Sequence, residues 1–332
     1  MNSKMQLSLS AAVAALLLVP TSHALADTLR LVTNWGTGSY SVARTLEFVE
    51  EFNESDAAIS ADLQISYIGG PEVTPATEQL TGLSNGVFDL LFGAAGYYVG
   101  TVPEARAIYG TSITPMEARN TGAIELLDKL YSKKANARVL GWVAAGVGYH
   151  IWLREEPTLD DKGLPVLNNI KIRSSGFYNT WLGHYGATTV SVPAPDIYNA
   201  LERGVVDGAA WPGLGITDYG FEKFIGYRID PPVWQFDNLL WVNKDSWQRL
   251  DDGQRAALSD AVKAYEPVAF EYYRNLAEEE RAEVEAAGVK SFNLSAEAEA
   301  AFVAHARTVQ WDKLKDSGSE HYDALRKALP PQ

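Results

Sequence analysis

Residues 169–213, NIKIRSSGFYNTWLGHYGATTVSVPAPDIYNALERGVVDGAAWPG, carry the reading on which the fold depends. Ile170 and Ile172 alternate with Lys171 and Arg173, the period of a short strand that stops at the arginine. A helix is predicted over 176–186, a strand over 188–192, a helix over 196–203 closed by Gly204, and a strand over 205–211. Strands alternating with short helices predict a parallel sheet, and ligands meet such sheets at the carboxyl ends of the strands. Arg173 and Trp211 both fall at such ends.

KIRSSG (171–176), followed by GATTVSVPAPDIYNALERGVVDGAAWPG (186–213), resembles the solute receptors of TRAP transporters, the tripartite ATP-independent periplasmic importers, in their DctP-type branch. The shared features are a lysine, an apolar residue and an arginine at a strand end, then Gly-Ala before a strand ending in proline. A helix with tyrosine and leucine then runs into Gly-Val-Val-Asp-Gly. The resemblance implies an α/β, two-lobe periplasmic binding protein (type II-like) with hinge strands and a long helix spanning both lobes. It also implies that Arg173 grips a ligand carboxylate, that Trp211 borders the same group, and that a small and a large TRAP membrane subunit are the partners.

Residues 1–26 carry Lys4, no acid, an apolar run from Ala11 to Pro20 and Ala24-Leu25-Ala26 before Asp27. That is the pattern of a secretory leader, with an apolar run too short to span a bilayer. A periplasmic product cleaved near Ala26 is expected, and what remains is long enough for two α/β lobes with cores of their own. With no cysteine there is no disulfide framework, lipoprotein anchor or thiolate metal site. Forty-two acidic against 28 basic residues give a net charge of −14, which disfavours nucleic acid and anionic lipid as partners. An anionic ligand must therefore be held by a local arrangement, which directs attention to single arginines.

From the amino terminus, 28–35 reads as a strand, then a glycine turn, then a helix start. Trp35 and Tyr40 flank the turn, and the helix start offers amide hydrogens to an anion. A strand over 63–67, a helix over 74–85 and a strand over 87–92 lead to Gly93-Ala94-Ala95-Gly96, where small residues leave room for a ligand that Tyr97 and Tyr98 could wall. A helix over 117–134 and strands over 138–143 and 148–153 follow. The resemblance implies a polar ligand contact on this last strand, with Tyr149, His150 and Trp152 all open candidates. A helix over 213–225, a turn at Asp230-Pro231-Pro232 and a strand over 238–242 come next, with Asp237 and Asn238 as candidate contacts. Residues 251–287 form a long helix containing Pro267 as a kink site, and a strand over 289–292 and a helix over 295–315 complete the chain.

The expected organisation is a leader (1–26), a first lobe (27–148), a second lobe (149–237), a return strand (238–250) and a spanning region (251–332). Scattered histidines, with no HExxH, GxSxG or P-loop pattern, give little for catalysis to build on. Some family members place Glu before the tryptophan of the Asp-Gly-x-x-Trp segment; here that residue is Ala210, which argues against a bound cation. No metal or other cofactor is implied. The leading expectation is a binding protein in which Arg173 pairs with a carboxylate while Phe177, Trp35 and the tyrosines wall the rest. An aromatic or hydroxylated acid fits such walls. The alternatives are a secreted hydrolase or lyase using His150 and an ABC-importer receptor.

Overall fold

A computed structural model describes residues 27–330, so the leader expected over 1–26 lies outside the described residues. Thirteen strands follow one another: β1 (Asp27–Thr33), β2 (Leu63–Gly69), β3 (Leu90–Ala94), β4 (Ala137–Ala144), β5 (Tyr149–Leu153), β6 (Thr158–Leu159), β7 (Pro165–Val166), β8 (Lys171–Ser174), β9 (Thr188–Ser191), β10 (Gly208–Pro212), β11 (Tyr227–Val233), β12 (Asn238–Asn243) and β13 (Lys290–Asn293). One sheet has the order β2-β1-β3-β12-β4 and another β13-β11-β5-β10-β8-β9, while β6 and β7 form a small hairpin. Each large sheet, with its flanking helices, makes a lobe.

The stretch from β8 to β10 is parallel as its alternation predicts: β8 pairs with β9 and with β10 in one direction. The whole sheet is not parallel, because β5 runs antiparallel to both β10 and β11. β5 enters from the first lobe through only four residues, 145–148, and β11 leaves through 234–237, which forces the opposite direction on this pair. The two links are bonded to each other, with the Phe236 amide donating to the Val147 carbonyl at 2.9 Å. They form the double crossing a hinge requires.

A 35-residue helix, Asp252–Ala286, is the third link between the lobes. Asp251 caps it, accepting from the Gln254 amide while Gln254 reaches back to the Asp251 amide. Leu258, Val262, Tyr265, Ala269 and Tyr273 recur at helical spacing and bury one stripe against the first lobe. Further along, Val284 packs with Trp211, Ile216 and Phe221 of the second lobe. The helix continues through Pro267. β13 then joins the second sheet beside β11, and the helix Ala296–Asp316 packs across both lobes.

Three sequence expectations are corrected. The helix over 117–134 is two helices, Pro115–Asn120 and Ala123–Lys134, separated at Gly122. Residues 213–225 hold only a short 3-10 turn, Phe221–Lys223. Gly215 and Gly220 adopt φ of +90° and +67°, and the Gly215 and Thr217 amides donate to the Glu280 carboxylate instead of to helix carbonyls. Asp230-Pro231-Pro232 is not a turn but part of β11, where the pairing with β5 skips from Ile229 to Val233 because proline has no N–H to donate.

Candidate functional site

The end of β8 and the end of β10 lie side by side, with Ala209 opposite Arg173, and the cleft between the lobes begins there. Arg173 is 2% exposed. Its Nε donates to the Val192 carbonyl at 2.9 Å and Nη1 to the Ala210 carbonyl at 3.3 Å. Its guanidinium carbon sits 4.9 Å from the centre of the Trp211 ring. Trp211 is itself fixed, donating through Nε1 to the Leu214 carbonyl at 3.1 Å. Among the described residues no carboxylate pairs with Arg173. Five N–H donors and a full charge are thus met by carbonyl dipoles, an indole face and the Tyr97 hydroxyl, all of them neutral, leaving donors for an anion.

Of the ten residues singled out from sequence, eight surround one cavity of about 40 Å³: Arg173, Trp211, Trp35, Tyr40, Tyr97, Tyr149, Phe177 and Asn238. The first lobe contributes Trp35, Tyr40 and Tyr97; the second contributes Arg173, Phe177 and Trp211. The volume accommodates a few waters, so this part of the cleft is closed and takes no organic ligand unless its walls part. Burial pushes the Tyr97 phenol up, and the Arg173 charge offsets part of that rise. Phe177 stacks on Tyr109 with centroids 4.7 Å apart, and Tyr40 stacks on Phe236 at 6.3 Å.

Two residues are not brought to the cavity wall. His150 follows Tyr149 in β5 and so faces the other side of the sheet. There its Nδ1 lies 3.2 Å from Asp230 and 3.1 Å from the Ile229 carbonyl, beside a separate outer recess. Trp152, the third candidate on that strand, donates through Nε1 to the Trp211 carbonyl at 3.0 Å within the second lobe. Asp237 is fully buried one layer behind the wall. It accepts from the Tyr149 hydroxyl at 2.8 Å, the Gly96 amide at 2.6 Å and the Tyr109 hydroxyl. Burial raises its carboxyl above the usual range, and these donors lower it in part. Its role here is to hold Tyr149 and Tyr109 in place.

Of the glycine and alanine run that closes β3, Ala94 borders the cavity, but Gly96 does not leave space for a ligand. A Cβ at Gly96 would stand 2.2 Å from the Tyr109 hydroxyl and 3.1 Å from Phe177, so the room is taken by the protein's own aromatics. Tyr98 is likewise internal, accepting from Asn34 at 2.7 Å and donating to the Ala76 carbonyl at 2.9 Å. The first helix, Tyr40–Glu54, does start at the cavity, but its first amide is occupied: Tyr40 N donates to Asp218 Oδ2 of the second lobe at 3.0 Å. Asp218 thus caps a helix of the opposite lobe. The loop carrying it is tied to the long helix by Glu280, whose buried carboxylate takes the Gly215 amide, the Thr217 amide at 2.7 Å and the Thr217 hydroxyl at 3.0 Å.

Sequence reasoning missed Tyr178, Tyr219 and Phe236 on the cavity wall. Tyr178 and Phe236 adjoin the chosen residues Phe177 and Asp237, and that adjacency is the signal that was available. Tyr219 lies in the loop expected to be helical, and nothing in its local pattern points to the cleft.

Comparison with known proteins places this geometry in a family. The model for bacterial extracellular solute-binding protein, family 7 (DctP), matches residues 31–316. The monocarboxylate 2-oxoacid-binding periplasmic protein of Nostoc sp. is 24% identical over 237 residues, which cover 67% of this chain and 61% of that protein. The match thus spans less than two thirds of that relative's length. Among solved structures, the receptor DctP7 of Bordetella pertussis, which binds pyroglutamic acid, superposes with a TM-score of 0.76 at 16% identity, covering 92% of this chain and 99% of that one. A TRAP periplasmic solute-binding protein of Chromohalobacter salexigens with bound D-glucuronate gives 0.77 at 18% identity, covering 92% and 100%. Both share the two-lobe fold.

Proposed function

The chain belongs to the DctP family of bacterial extracellular solute-binding proteins, and from that premise we propose that it is the periplasmic receptor of a TRAP importer, capturing a small organic acid through Arg173. The family is one of substrate-binding receptors, so the chain is not an enzyme. The observation that carries the rest is a buried arginine, facing an interlobe cavity, to which the fold supplies no counter-charge. A buried cation is costly unless paired, and a ligand carboxylate matches the planar guanidinium in both geometry and charge. Pyroglutamate, glucuronate and 2-oxoacids, the acids of the relatives, are all carboxylates.

Closure joins the two halves around the pair. Water is excluded, the attraction strengthens, and the Asp218 carboxylate reaches the start of the opposite helix. A ligand binding the closed form better than the open one shifts the population toward it, and the membrane subunits would read that shape before the solute is released. Screening organic acids by thermal shift tests the reading. At a concentration 100-fold above Kd a ligand adds about 2.7 kcal/mol of stability, a readily measured rise in melting temperature. Failure of every carboxylate to raise it would overturn the proposal.

A further inference from the structure

Arg173 borders a second chamber as well. This one encloses about 280 Å³ between the lobes, against about 40 Å³ for the aromatic cavity, and Trp35, Tyr97, Arg173 and Ser175 line both. The remaining walls come from both sides of the cleft, chiefly Pro71 and 75–77 of the first lobe and 191–195 of the second. Arg173 is the one charged residue among those that line it.

The backbone of these walls has little left to offer a polar ligand. Pro71, Pro75, Pro193 and Pro195 carry no N–H. The carbonyls are engaged elsewhere: Pro75 accepts from the Glu78 amide at 2.8 Å, Ala76 from the Tyr98 hydroxyl at 2.9 Å, Val192 from Arg173 Nε at 2.9 Å, and Pro193 from the Asp196 amide at 3.0 Å. Thr77, Ser175, Ser191 and Tyr97 bring hydroxyls to the lining, but its greater part is apolar, from the four prolines, Ala76, Val192, Ala194 and Trp35, so an apolar group buries more favourably here than a hydroxylated one. Proline's fixed φ also keeps the walls stiff on both sides of the cleft, so the chamber persists when the lobes are closed.

Building on the reading of Arg173 as the carboxylate grip, we propose that this proline-walled chamber houses the apolar body of the ligand, so that the solute is an amphipathic monocarboxylate with an alkyl or aryl tail. The carboxylate sits on the guanidinium where the two cavities meet, and the tail runs between 75–77 and 191–195. A second charge on the tail would meet no partner, which disfavours dicarboxylates.

Calorimetric titration of butanoate, hexanoate and octanoate, with 3-phenylpropionate as an aryl member and lactate as a short polar one, tests this. Affinity is expected to rise about fourfold per buried methylene until the chamber is full. Thr77→Trp and Ser191→Trp, made at exposed positions one on each lobe, fill the chamber. Each should weaken octanoate at least about tenfold while leaving butanoate within about twofold. Affinity that is flat along the series, or octanoate binding untouched by both tryptophans, overturns the chamber's assignment; if short acids still bind and are still lost in Arg173→Ala, the receptor reading stands without it. Absence of binding by every acid overturns both.

Discussion

Two buried arginines in the second sheet differ in whether the fold supplies a counter-charge, and the binding role proposed for Arg173 rests on that difference. Arg228, 4% exposed, lies 5.7 Å from the Trp152 ring centre, much as Arg173 lies over Trp211. Arg228 is neutralised by the fold: it meets the Asp230 carboxylate through Nε and Nη2 at 2.8 to 3.2 Å, donates to Ser291 at 2.6 Å and approaches Glu285 at 3.5 Å. Arg173 meets only neutral groups, the Val192 and Ala210 carbonyls, the Trp211 indole and the Tyr97 hydroxyl. Residue type, burial and aromatic neighbour are alike, so the difference lies in the missing carboxylate. The fold completes one arginine; the other, on the proposed reading, is completed by a solute.

The sharpest way to break this contrast is to remove each arginine in turn. Arg173→Ala should cost about 3–5 kcal/mol of ligand affinity, because the ligand's carboxylate is then buried unpaired. Unfolding of the ligand-free variant by urea should move by less than about 1 kcal/mol, since no charge is stranded and the loss of hydrogen bonds to the Val192 and Ala210 carbonyls is offset by removing a buried cation that has no counter-charge. Arg228→Ala should reverse the pattern: calorimetric affinity within a few-fold of the parent, but about 3 kcal/mol of folding stability lost as Asp230 is left without its permanent counter-charge.

The structural pair is also expected to show itself in pH. Burial alone would raise the Asp230 carboxyl, but hydrogen bonds and charge from His150 and Arg228 outweigh it and hold the group well below its ordinary value of 3.8. A depressed folded value means that the stabilisation is fully present above the unfolded value and is lost as pH falls through the folded one. The stability difference between the parent and Asp230→Asn, followed by denaturant unfolding, should therefore be complete above 3.8 and shrink below it. No such acid limb should attach to Arg173. The smallest effect concerns closure. Asp218→Ala removes one exposed interlobe hydrogen bond and should weaken binding by about 0.5–1 kcal/mol, mainly as a faster dissociation rate in stopped-flow measurements.

Much of this was legible in the chain itself. The alternation of Ile170 and Ile172 with Lys171 and Arg173, and the strand and helix order after it, placed both Arg173 and Trp211 at the lip of a sheet. What local pattern could not reveal was which side of a strand faces the cleft. Tyr149 and His150 are neighbours in sequence, yet they serve opposite faces of β5, and only the pairing of β5 with β10 and β11 decides which is which. Asp237 and Asn238 divide in the same way. The 213–225 loop was misread because its amides are satisfied by Glu280, more than sixty residues away, and a distant acceptor leaves no trace in local periodicity. The missing counter-charge at Arg173 was equally invisible, since a chain rich in acids gives no sign of which arginine will lack one.

A thermodynamic cycle between protein and ligand addresses the central claim most directly. A bound monocarboxylate and its neutral carboxamide, each titrated calorimetrically into the parent and into Arg173→Ala, isolate the energy between one guanidinium and one carboxylate. The account predicts that the amide binds the parent weakly, that the variant scarcely distinguishes the two, and that the coupling is about 3 kcal/mol or more. A coupling near zero, with acid and amide discriminated equally well in the variant, would contradict it.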